Sequence, residues 1–115
     1  MQGSTSLLVL NVTAGGALAT ARGVTAAGAY PAANAGIRGV SRTSALASGD
    51  LVPIDVIGTT LVESGGAVTA GAAQMVDATG RILDRTSTNV IVGYAVTGAA
   101  GAGTLCEMII AGPTA

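Results

Sequence analysis

A chain of 115 residues forms one domain with a modest core, and this one builds its 50% apolar content without Phe or Trp, on 18 glycines, many alanines and two tyrosines. Charged residues make up 10% and the net charge is −1, which argues against nucleic-acid binding; a mean hydropathy of +0.65 argues against disorder. The absence of His removes the usual general base, the Ser-His and Cys-His nucleophile pairs and the commonest metal ligand.

Alternating apolar residues and regularly spaced glycine turns predict short strands near 6–13, 20–25, 37–43, 51–57, 59–64, 72–77, 81–84, 90–97 and 104–111. No window carries a helical stripe, although Ser44–Ala47 has room for one turn. The first strand is apolar on both faces, Leu7 and Val9 on one and Leu8, Leu10 and Val12 on the other. It either lies buried in the domain or packs against another chain by strand addition. The six residues from Met1 to Ser6 offer little anchorage, which favours a neighbour. The expected organisation is therefore an N-terminal arm over 1–13, mobile in the isolated protein, and a single β-domain over 14–115. Leu7, Leu8, Val9, Leu10 and Val12 are the candidate interface residues.

Further along, Pro53 cannot donate to a ladder and marks its strand as an edge or a bulge. Turn signals recur at Ser48-Gly49, Gly65-Gly66, Thr79-Gly80 and Ala102-Gly103. Ile37–Gly58 matches Ile91–Gly112 without gaps at a spacing of 54 residues: Gly39 meets Gly93, Leu51 meets Leu105, and Gly58 meets Gly112. Val24–Gly28 matches Val76–Gly80 more loosely. Two units are too few for a solenoid, so the expected fold is an all-β barrel or sandwich of short strands with two pseudo-repeated halves. Through the repeat, Val52, Ile54 and Val56 face inward in one half, and Cys106, Met108 and Ile110 in the other.

Chemistry is sparse. Cys106 reads as a small buried hydrophobe, and a single cysteine allows no internal disulfide. The run from Gly98 to Gly103 lacks the Lys-Ser/Thr of a phosphate loop and reads as a hairpin turn. Asp50 and Asp77 sit at turns, where local backbone bonding explains them. Asp84, between Arg81 and Arg85, is expected to form exposed ion pairs. The carboxylates are too scattered for a Ca²⁺ site or a glycosidase pair. No catalytic residue, metal site or cofactor is expected, and no nucleic-acid or membrane partner.

Beyond these residue-level readings, the order of several segments resembles the tailed-phage capsid cement family, related in fold to the head decoration protein of lambda. The segments run from Ala14 to Ala33, then Gly39 to Thr43, Ser48 to Val52, Gly65-Gly66-Ala67 and Asp77 to Arg81. Val92 to Ala95 and Ala102 to Glu107 complete the likeness, with Thr104 standing where Asp50 stands in the first copy. The resemblance implies a β-clip or β-tulip domain and no catalysis. It also implies a homotrimer on the major capsid protein at threefold or quasi-threefold positions of the shell. The protein would be made in the host cytoplasm and reside on the capsid surface. A head-fibre, tail or filament subunit is the alternative of similar β content, and a small β-clip enzyme or ligand-binding module a more distant one.

Overall fold

The longest run of alternating apolar residues, Leu51 to Glu63, is one strand that crosses the whole molecule. The computed structural model describes residues 5–114. Its strands in chain order are β1 (Ser6–Thr13), β2 (Gly23–Val24), β3 (Gly39–Ser41), β4 (Leu51–Glu63), β5 (Ala73–Val76), β6 (Ile82–Asp84), β7 (Gly93–Ala95) and β8 (Leu105–Ile110). They pair in the order β2-β3-β4-β8-β7-β5-β6, with β1 on β4, and the sheet curls into a nearly closed barrel. No helix occurs among the described residues, and the turn considered at Ser44–Ala47 is absent. There Ala45 bridges Leu18 instead, through two backbone bonds of 2.9 Å.

The strands expected at 51–57 and 59–64 are the two parts of β4. Gly58 joins them at φ 113°, a conformation that favours glycine. Before Gly58, β4 pairs with β1 and β3; after it, with β8. The strand thus belongs to both halves, and the repeat is visible in its registers. Val40↔Asp55 in the first half recurs as Tyr94↔Ile109 in the second. Likewise Val12↔Val52 recurs as Val62↔Cys106, and the Leu18↔Ala45 bridge as Val68↔Ala99. β1 is therefore the counterpart of the second part of β4, a correspondence 50 residues apart that low sequence likeness hides.

Each half has its own core. Ala14, Leu18, Val24, Ala45, Val52, Ile54 and Val56 form the first cluster, with Val12 and Tyr30 packed against it. Val62, Val68, Val76, Ile82, Val92, Ala95, Cys106, Met108 and Ile110 form the second, joined by Ile37 and Val40 from the first half. All six residues expected to face inward are buried, so the register read from the repeat holds.

Pro53 departs from expectation, because β4 has neighbours on both sides rather than an open edge. Its missing N–H falls just beyond the end of β3. The Arg42 N–H donates to the Pro53 carbonyl at 2.9 Å, while the Arg42 carbonyl accepts the Thr20 hydroxyl at 3.0 Å. A side chain thus replaces the bond proline cannot make.

Candidate assembly interface

β1 is bonded along one edge to β4 of its own chain, in register from Leu8↔Ile57 to Thr13↔Leu51 with irregularities around Leu8. Thr5 and Ser6, expected to anchor poorly, are tied down. Thr5 donates its N–H to the Thr59 hydroxyl at 2.8 Å and accepts from the Thr59 N–H at 2.9 Å. The Ser6 hydroxyl donates to Asp55 at 2.6 Å. Residues 1–4 of the expected arm lie outside the described residues. The candidate residues divide: Leu7 is 74% exposed, Leu8, Val9 and Leu10 are about two-fifths exposed, and Val12 packs on the first core. Leucines and valines so placed form an apolar strip on an otherwise weakly charged surface.

The halves meet at a polar junction. Asp55, 3% exposed, accepts the Ser6 and Thr60 hydroxyls (the latter at 2.7 Å) and lies 3.7 Å from Arg42 Nε. It borders a shallow pocket of about 230 Å³ with Thr20, Ala21, Ser41, Arg42, Thr60, Leu61 and Leu105. That lining holds one carboxylate and no second acid, base or thiol with which it could share a proton. Beside it Arg22 reaches across to Glu63 at 3.2 Å and to the Thr79 carbonyl at 3.1 Å, and Arg81 pairs with Glu63 at 3.7 Å and Asp77 at 3.4 Å. The partners are half-buried, so this network clamps the halves more firmly than isolated surface pairs would.

The remaining acids do structural work. Asp50 accepts the Leu46 and Ala47 N–H groups at 3.1 and 3.2 Å, closing the turn that precedes β4. In the second half, where Thr104 replaces Asp50, the Ser64 side chain does this. Its hydroxyl donates to the Gly101 carbonyl at 2.7 Å and accepts the Thr104 N–H at 3.0 Å. At Asp77 partial burial favours the neutral acid, but hydrogen bonds from Thr79 and Arg81 outweigh it and hold the carboxyl below its ordinary range. Asp84 does not form the ion pairs expected with Arg81 and Arg85. Strand pairing sets it opposite Gln74, where it accepts from that amide and from the Thr69 N–H and hydroxyl. The Thr69 backbone bond is the main cause of its lowered pKa. Arg85 Nε donates to the Asn89 carbonyl at 2.6 Å instead.

Cys106 is fully buried, and desolvation raises its thiol pKa, the environment of an inert core cysteine. Among the described residues no three His, Cys, Asp or Glu side chains converge to hold a metal ion.

A doubled β-barrel whose polar groups are spent on turns and on one internal junction, and whose exposed apolar residues lie mostly along strands, has the build of a structural protein that works through its surfaces. Residues 2–110 match the family model for phage cement proteins, and the chain belongs to that family. It is thus a virion-associated structural protein whose function is capsid decoration. Its fold is similar to that of the head fibre gp8.5 N base of bacteriophage phi29, with a TM-score of 0.73 over 94% of this chain and 97% of that chain. At 18% identity this likeness bears on the fold alone. No curated protein matches the sequence.

Proposed function

We propose that this cement protein acts without catalysis, as a homotrimer seated on the major capsid protein at threefold or quasi-threefold positions of the outer shell. The observation that carries this reading is the family match across nearly the whole β-domain. Two features support it. A core of Val and Ile with no buried Phe or Trp in a chain of 115 residues gives modest total burial, so a further buried surface between copies adds stability. The N-terminal arm over 1–13 offers such a surface through Leu7, Leu8, Val9, Leu10 and Val12, and we assign it to contact with a neighbouring copy or the shell.

Likeness to a head fibre base favours a second reading, in which the domain seats a fibre on the head. Fibre-type subunits that stack head to tail grow into open filaments, whereas cement subunits form closed rings. Purified protein mixed with shells lacking it, then sedimented, tests the proposal. The expected result is saturable co-sedimentation in multiples of three copies per site. Protein left in the supernatant, or open filaments without shells, would count against it.

A further inference from the structure

The two halves repeat position by position, yet one face is buried in the first half and exposed in the second. In the first half, Val40 and Asp55 are cross-strand neighbours on the outer face of the β3–β4 ladder, 0% and 3% exposed. The second half covers them: Val40 enters its core, and Asp55 is bonded to Thr60 near Leu61 and Leu105. The counterparts of Val40 and Asp55 are Tyr94 and Ile109, cross-strand neighbours 45% and 49% exposed. Val96, the counterpart of Arg42, is 41% exposed beside them.

The covering side shows the matching gap. The register Thr60↔Met108 repeats Leu10↔Ile54, so Leu10 is the counterpart of Thr60, and Leu51 that of Leu105. Thr60 is 2% exposed because Asp55 lies against it; Leu10 is 41% exposed and Leu51 68%. The chemistry has changed in step on both sides. Where the junction sets Asp55 and Arg42 against Thr60, the two open faces carry Ile109 and Val96 on one and Leu10 on the other. A polar contact closed within the chain has apolar counterparts left open on each half.

We infer that the face of Tyr94, Val96 and Ile109 is covered by the first half of a second copy, whose Leu10 and Leu51 take the places that Thr60 and Leu105 hold in the internal junction. The contact joins unlike surfaces, and about the threefold axis of the proposed trimer successive copies close into a ring. This inference rests on the self-association in the proposed function and specifies its interface.

Sedimentation velocity of the full chain tests it, using the unmodified protein, Ile109→Glu and Tyr94→Glu. Both substitutions are at exposed positions, so far-ultraviolet spectra should stay unchanged while the oligomer weakens at least about tenfold, as for a central interface side chain. Chains carrying Leu51→Cys, mixed with chains carrying Ile109→Cys under mild oxidation, should form mixed disulfide dimers, whereas neither population alone should cross-link. An oligomer indifferent to both glutamates, with no mixed dimer, would overturn the inference. So would a monomeric unmodified protein, and so would variants that remain oligomeric but no longer bind shells, which would give the face to the shell. If the unmodified oligomer dissociates in the glutamate variants as expected but does not itself bind shells, the interface stands and the capsid reading falls.

Discussion

Gly39 and Gly93 show how a repeat seen as letters becomes a physical constraint. At each, the strand opposite runs so close that an added Cβ would meet a backbone carbonyl: that of Asp55, at 2.5 Å, for Gly39, and that of Ile109 for Gly93. These two carbonyls are themselves equivalent through the repeat, so the same close approach occurs twice. A carbonyl fixed in a ladder yields less readily than a side chain. Gly93→Ala should therefore destabilise the protein by about 1–3 kcal/mol, the usual range for overpacking. Gly101→Ala, with nothing within 4 Å of the added atom, should be close to neutral. Thermal melts of the two variants check this, and equal Tm values would refute the close approach.

Among the elements, β4 decides how the halves depend on one another. Its inward residues serve both cores, Ile54 the first and Val62 the second, and Gly58 lets one strand change partners without a break. Ile54 and Met108 are equivalent and fully buried, one in each core. Truncating either to Ala should cost about 2–5 kcal/mol. Because the strand is shared, each variant should still unfold in one transition, seen alike by calorimetry and denaturant titration. A separate early transition in either variant would mean that the halves fold independently. Much of this was legible beforehand, since the alternation in Leu51–Ile57 and the 54-residue spacing place all six inward residues. The continuity through Gly58 was not, because a glycine between two alternating runs reads as a turn. Nor was the kinship of β1 with the second part of β4, because Ser6–Thr13 and Val56–Glu63 share a pairing register rather than residue identities. The junction at Asp55 was hidden for another reason. Ser6, Arg42 and Thr60 converge on it only once the barrel has curled.

At the scale of the whole molecule, a cement protein acts by linkage. It stabilises the assembled shell to the extent that it binds that state more tightly than the loosened one, by RT ln(1 + [L]/Kd), or about 2.7 kcal/mol at a concentration of 100 Kd. Shells carrying the protein should accordingly retain their genome to a higher temperature than bare shells. The margin should grow with protein concentration until sites saturate, as read by dye access to the released nucleic acid. Identical release temperatures would leave decoration without a stabilising role. The order in which the chain becomes complete also follows from its build. Thr114 donates its N–H to the Ile37 carbonyl at 2.7 Å, and its hydroxyl accepts the Ile37 N–H at 2.8 Å, closing a loop across 77 residues around the segment whose side chain plugs the second core. β1 likewise waits for β4 before any of its ladder can form. Pairings this distant in sequence must meet the entropy of loop closure before they add stability, which places such topologies among the slow folders, in milliseconds to seconds. A nascent chain that has emerged only through β7 has neither a closed second core nor its clasp, so the native barrel closes only after β8 and Thr114 have been made.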